Sequence, residues 1–334
     1  MSRTLRLLAL SSAVLLATVL AACGEKQESA SGDREPFVLA LDFYVNPDHA
    51  GIYTALDRGY FDDAGLEVEP RVPSDPSAPI REVAAGRVDL AVSYEPEVLL
   101  AREQGLPVKA VAALVPRPLT SLISLPEAGI AEVSDLRGKT IATAGIPYQG
   151  DYLGAILERV GLSLDDVSQV DVGLNLLPAV LSGRADAMLG GFLNVEGVDL
   201  AERGKHPRVV PVDRLGIPTY DELVLVASSD RLEEDTEAIR LFIAALERGT
   251  EAAAKNPEGA AAAILRAGQG LDPQLTDAEI DRTLPLLQAR PGKPYGYMDP
   301  AAWERFAVFF AERGLISDRP TADELLTNEL VPDR

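Results

Sequence analysis

From residue 37 onward, short apolar runs alternate with stretches of helical periodicity. Residues 37–42, 66–72 and 89–93 read as strands, and residues 49–58 and 80–85 as the helices between them. Strand, helix and strand in succession predict parallel pairing, hence an α/β fold. A unit also recurs at long range. IREVAAGRVDLAV (80–92) and PAVLSGRADAML (178–189) each run from an apolar helix through a Gly-Arg turn and an acid into a buried strand. Each unit lies in its own half of the chain and ends in a polar and aromatic segment, Tyr94-Glu95-Pro96 in one case and residues 190–196 in the other. Ligands of open α/β sheets sit beyond the carboxyl ends of the strands, so two facing sheets would set both segments on one cleft. Extended runs at 119–125, 139–145 and 222–228 place a first part of lobe 1 at 37–122 and lobe 2 at 123–221. Residues 222–334 return to lobe 1 and add carboxyl-terminal helices. Apolar spacing at Ile239, Phe242, Ile243 and Leu246 predicts a helix over 235–253. Trp303, Phe306, Ala307 and Phe310 predict another over 300–313, and the Ala-rich run 259–265 reads as helix packing.

The amino-terminal pattern differs. Arg3 and Arg6 precede an apolar run over 7–20, too short to cross a bilayer as a helix. The run ends in Leu20-Ala21-Ala22-Cys23, which resembles the bacterial lipobox; it predicts a signal peptide over 1–22 and lipidation of Cys23. Residues 24–35 hold no apolar side chain except Ala30, so 23–36 reads as a tether. The expected location is the extracytoplasmic face of the cell membrane, with anchoring through the lipid on Cys23.

Composition narrows the chemistry. Among 334 residues the net charge is −21, which a phosphate backbone would repel, so no nucleic-acid partner is expected. Cys23 is the single cysteine and His49 and His206 are the histidines, which excludes an intrachain disulfide or a cysteine metal site and leaves no metal or cofactor expected. Arg137-Gly138-Lys139-Thr140 lacks the earlier glycine of a phosphate loop and precedes a strand, so it reads as a turn. His206 reads as a solvated loop residue.

The segment after the first strand, LDFYVNPDHAG (41–51), gathers Asp42, Phe43, Tyr44, Asn46 and His49 around a turn, the composition of a ligand-facing loop. The plainer reading is that Asp48 caps a helix and His49 fills its first turn. Tyr148 and Tyr152, four apart, either face a ligand or pack on each other. Glu196 either meets a ligand or caps a helix.

These residues resemble the family of periplasmic-binding-like proteins that bind thiamine-pyrimidine precursors, grouped with the fungal pyrimidine synthase. The resemblance rests on LDFYVNPDHAGIYTALDRGYFDDAGLEVE (41–69), PSDPSAPIREVAAGRVDLAVSYEPEVLLAREQGLPV (73–108), GGFLNVEGVDL (190–200) and PTYDELVLVAS (218–228). It implies a two-lobed periplasmic-binding-protein-like fold of type II, each lobe a mostly parallel sheet flanked by helices. It also implies a receptor that closes on a small solute, an aminopyrimidine, and delivers it to an ABC permease and its ATPase. The ring would stack on Phe43, Tyr44, Tyr94, Tyr148 or Phe192. Glu196 would accept an exocyclic amine, with Asp42, Asn46, His49 and Asn194 as further polar contacts and Glu95, Tyr152 and Tyr220 in the same set. Tryptophan would be expected where Phe43 stands. Another flat heterocycle such as riboflavin is an alternative solute. A small sulfonate is a weaker one, because the strand-end segments hold no arginine. The synthase members carry a cysteine-rich motif without counterpart here, so no enzymatic activity is expected.

Overall fold

The computed structural model describes residues 35–333; the signal peptide, Cys23 and nearly all of the tether lie outside the described residues. Two five-stranded sheets form the core. The first contains β1 (Phe37–Ala40), β2 (Val68–Arg71), β3 (Leu90–Ser93), β4 (Val108–Val115) and β10 (Leu223–Ser228) in the order β2-β1-β3-β10-β4. The second contains β5 (Thr120–Ser124), β6 (Thr140–Thr143), β7 (Ser168–Asp171), β8 (Ala187–Phe192) and β9 (Arg208–Pro211) in the order β7-β6-β8-β5-β9. Position for position, the two orders are the same. Each sheet is mixed: β1 pairs in parallel with β2 and β3, and β6 with β7 and β8, whereas β10 and β5 run antiparallel to both neighbours. The opposed strand is in each case the one whose chain arrives from the other sheet. The run at 119–125, read from the sequence as leaving the first half, is already hydrogen-bonded in the second sheet from Thr120.

The internal repeat explains the matching orders. Helix Pro79–Ala84 leads into β3 and helix Leu176–Leu181 into β8, the central strand of each sheet. Both turns need glycine, because Gly86 and Gly183 have φ of 65° and 72°, where a side chain is strained. The acid that follows has the same task twice. Asp89 accepts the N–H of Val38 at 2.6 Å while its own N–H donates to Val38 O; Asp186 does the same with Thr140, at 2.8 Å. Each carboxylate thus clamps the central strand to its parallel neighbour, β1 or β6, satisfying a backbone donor at that strand's start.

Central strands are buried on both faces and read as continuous apolar runs, as in LAVS (90–93) and LVLVAS (223–228). The edge strands β2 and β7 remain partly exposed. Helix Thr236–Lys255 covers the first sheet with Phe242 stacked between Phe37 and Phe61, at ring distances of 5.3 and 4.8 Å. Asp235 accepts the Ala238 N–H and Asp299 the Ala301 N–H, capping helices Thr236–Lys255 and Pro300–Glu312 within a residue or two of the periodicity. The stretch 137–140 is a turn into β6, with Gly138 at φ 75°, and His206 lies exposed in a loop.

Candidate functional site

Four strand ends converge on one narrow cleft. Asp42, Phe43 and Asn46 follow β1, Tyr94 follows β3, Ala144, Ile146, Tyr148 and Gln149 follow β6, and Gly190, Phe192, Val195 and Glu196 belong to the end of β8 and the turn beyond it. The equivalent strands of the two sheets therefore each supply one wall.

Of the sequence-predicted residues, Asp42, Phe43, Asn46, Tyr94, Tyr148, Phe192 and Glu196 line this cleft. Tyr44, half exposed, sits edge-on to Phe43 at 5.4 Å and lines a neighbouring cavity. His49, Glu95, Tyr152, Asn194 and Tyr220 lie outside the lining, each buried with a partner that accounts for its position.

His49 is fully buried under the β1 loop. Its Nδ1 accepts the Asn46 N–H, so the ring proton sits on Nε2 and donates to Asp42 Oδ1 at 2.9 Å. Tyr94 donates its hydroxyl to Asp42 Oδ2 at 2.8 Å. Asp42 is thereby fixed from both sides and aims Tyr94, with His49 acting one layer below the cleft. Asn46 also caps the short helical turn Pro47–His49, its side chain accepting from Asp48 N. Asn46, and not Asp48, is the cap.

Asp48 and Asn194 join the two walls. Asn194 Nδ2 donates to Asp48 Oδ1 and to Thr283 Oγ1, both at 2.8 Å, linking the loop after β8 to the loop after β1 and to helix Pro273–Thr283. Asp48 Oδ2 and Asn194 Oδ1 are buried with no hydrogen-bond partner. Burial, opposed by the Asn194 bond, pushes the Asp48 carboxyl well above its usual range.

The tyrosines form a ladder inward from the cleft. Tyr94 meets Tyr148 at 5.9 Å, Tyr148 meets Tyr152 at 4.9 Å, Tyr152 meets Tyr220 at 5.8 Å, and Tyr220 meets Phe306 at 5.2 Å. Tyr148 and Tyr152 thus both pack on each other and serve the site: the first faces the cleft and the second backs it. Glu95 and Tyr220 belong to the crossover. Glu95 Oε2 accepts the Asp221 N–H at 2.7 Å, and Tyr220 donates to Glu222.

Glu196 lines the cleft but does not cap the helix it begins: the capping position is Val195, with no side-chain bond. It opens helix Glu196–Glu202, and its Oε2 accepts the Phe192 N–H at 2.7 Å, leaving Oε1 as the oxygen available to a ligand. Burial pushes its carboxyl up to about 7, against the lowering effect of the Phe192 bond. Near neutral pH the group can thus either donate or accept.

Gln149 and Gly190 escaped the sequence reading. Gln149 is buried; its Oε1 accepts the Ala144 N–H at 2.8 Å, which turns Nε2 toward Gly190 and the cleft. A Cβ at Gly190 would lie 2.4 Å from that Nε2, and its φ of +121° excludes other residues on backbone grounds alone. The GG of 190–191 and the neighbour of Tyr148 held the available signal. The lining contains no lysine or arginine.

A family model described as NMT1/THI5 like matches residues 46–260. A protein of Halalkalibacterium halodurans named formylaminopyrimidine-binding protein is 35% identical over 297 residues, 88% of this chain and 90% of that one. A Haemophilus influenzae protein named for thiamine biosynthesis is 34% identical over 284 residues, 85% of this chain and 88% of its own. In structure, the alkanesulfonate-binding protein of Xanthomonas axonopodis superimposes with a TM-score of 0.68 at 18% identity, covering 88% of this chain and 99% of that one.

Proposed function

We propose, from the premise that this chain belongs to the NMT1/THI5-like family, that it is the solute receptor of an ABC importer and that its solute is a thiamine-precursor pyrimidine, in hydroxymethyl or formylaminomethyl form. The observation that carries the reading is Glu196, a carboxyl held near neutrality in a cleft walled by aromatic rings. A 4-aminopyrimidine presents a ring nitrogen beside an exocyclic amine. Oε1, the oxygen not taken by the Phe192 N–H, donates to the first when protonated and accepts from the second when ionised, a contact that a purely apolar slot cannot offer. Tyr94, Tyr148, Phe43 and Phe192 offer ring faces at little entropic cost, and Gln149 Nε2 offers a further donor. The name of the Halalkalibacterium relative supports the same solute class. The lack of lysine and arginine in the lining disfavours a sulfonate, which needs a cation. The single cysteine, far from the cleft in sequence, supports a receptor without synthase activity.

Thermal denaturation with hydroxymethyl- and formylaminomethyl-pyrimidine tests the ligand. A solute at a hundred times its dissociation constant adds about 2.7 kcal/mol of stability, several degrees for a chain of this size. No shift with either compound removes the ligand assignment.

The location follows from the same reading. Solute receptors of this fold work outside the cytoplasmic membrane, and no helix among the described residues is long and apolar enough to cross it. Cys23 supplies the anchor through its lipid. Cys23→Ser is expected to move the protein from the membrane fraction to the soluble one; a variant that stays with the membrane would mean that some other segment holds it there.

A further inference from the structure

A second, roomier cavity adjoins the first and shares Phe43, Asn46, Val195 and Glu196 with it. Its ionisable lining is wholly acidic: Glu196, Asp199, Asp272 and Glu279, with no lysine, arginine or histidine. Two of the four are committed. Asp199 is paired with Arg203, and Asp272 caps its helix by accepting the Leu275 N–H. Glu196 gives one oxygen to Phe192. Glu279 is different. On helix Pro273–Thr283 it is 7% exposed, and among the described residues its carboxyl makes no hydrogen bond and no ion pair. Its carboxyl faces the cavity, and burial first, then the negative charges of Glu196, Asp199 and Asp48, push it up to about 8, so near neutral pH it holds its proton until a cation comes beside it. The folding of the helix does not require an acid there, so the orphan group points to an absent partner with donors to give.

A metal ion does not fit, because no three of these carboxyls gather closely enough among the described residues to hold one. Spread around a cavity large enough for several heavy atoms, they suit an organic cation. We infer that the second cavity is a subsite for a protonated amine carried on a side arm of the ring bound in the first, and that Glu279 selects it. The inference rests on the first cleft holding a flat ring. Phe43, Asn46, Val195 and Glu196 are common to both linings, so a ring held in the first cleft would set its short arm at the border of the second, which Glu279 lines. The ammonium would then meet the one carboxyl that nothing else satisfies.

The test is a comparison of arms on a constant ring, by calorimetry at pH 7. The 5-aminomethyl pyrimidine, a cation at that pH, is expected to bind about tenfold tighter than the 5-hydroxymethyl one, the ordinary effect of a hydrogen bond to a charged group. In Glu279→Gln the ratio should collapse toward one. Equal binding of the two arms in the wild type, or a preference that survives the substitution, overturns the subsite. If the variant does not fold, the wild type decides alone, since N-acetylation of the amine must abolish the preference. A pair without any pyrimidine separates this inference from the reading beneath it. Benzylamine stabilising the protein more than benzyl alcohol would support the subsite even if no pyrimidine bound. If neither the pyrimidine pair nor the benzyl pair distinguishes amine from alcohol, the subsite is overturned.

Discussion

Glu196→Gln is expected to weaken the binding of a 4-aminopyrimidine by between about tenfold and a hundredfold with little change in unliganded stability. The glutamine carbonyl can still accept the Phe192 N–H that Oε2 accepts in the native protein, so the turn after β8 keeps its bond. What remains toward the ligand is an amide NH₂, a donor only. The ring nitrogen keeps a partner, the exocyclic amine loses its acceptor, and a buried donor without an acceptor costs about 1–3 kcal/mol. Alanine at the same position should weaken binding at least as much, and it should also destabilise the fold by about 1 kcal/mol by orphaning the Phe192 N–H. The two variants together therefore separate ligand contact from support of the turn after β8. Calorimetric titration of both reads the difference, and unchanged affinity in the glutamine variant would mean that Glu196 serves the fold alone.

Glu222→Ala is expected to destabilise the protein by about 4 kcal/mol, the largest stability effect of any single side chain considered. Glu222 is fully buried just ahead of β10, and its Oε2 accepts the N–H of Leu119 and, at 2.7 Å, of Thr120, which opens β5. Its Oε1 accepts the Thr120 hydroxyl at 2.8 Å, and Tyr220 donates to both oxygens. One carboxyl thus ties together the two strands that pass between the sheets. Its removal strands two buried backbone donors, at about 1–3 kcal/mol each. Burial also pushes this group up to about 7 despite those bonds, as it does Glu97, whose Oε2 accepts from Ser93 Oγ. A carboxyl raised in the folded state binds its proton more tightly there than in the unfolded chain. Its contribution is therefore complete below about pH 4.5 and is lost as pH rises through about 7. At roughly 1.4 kcal/mol per pKa unit, each such group is worth on the order of 3 kcal/mol across that window. Urea denaturation should accordingly find the wild type more stable at pH 5.5 than at pH 8.5, and Glu222→Gln should flatten the slope. Stability that instead rises over that interval would show that these carboxyls are ionised in the native state.

Much of this architecture was legible because the physics was local. Alternating runs gave the strands, and a repeated helix, glycine turn and acid marked the centre of both sheets, since a strand buried on both faces must be apolar throughout and the turn before it needs a positive φ. The walls of the cleft were legible for the same reason: strand ends are where side chains leave the sheet and become available. Depth was not legible. Asp42 and His49 stand seven residues apart in one polar loop, yet one lines the cleft and the other holds it from beneath. Only the path of the chain around the short turn Pro47–His49 decides which. The sheets proved mixed because a strand arriving from the other half enters against the direction of its neighbours, a consequence of connectivity that no single segment records. Gln149 was missed because a glutamine in a helix is unremarkable until its carbonyl is seen to be taken by Ala144, which commits its amide to the cleft.

The seam made by Asn194 has a consequence for unloading. A receptor that only captured would do best with every polar atom along its closing edge paired. Here Asn194 holds Asp48 and Thr283 while Asp48 Oδ2 and Asn194 Oδ1 stay buried and unanswered. Each unanswered atom costs about as much as one of the bonds beside it contributes, so the edge registers the two walls without gluing them. In the proposed receptor, residence time would then be set by the cargo's own contacts, and a permease would need only to disturb those for the walls to part.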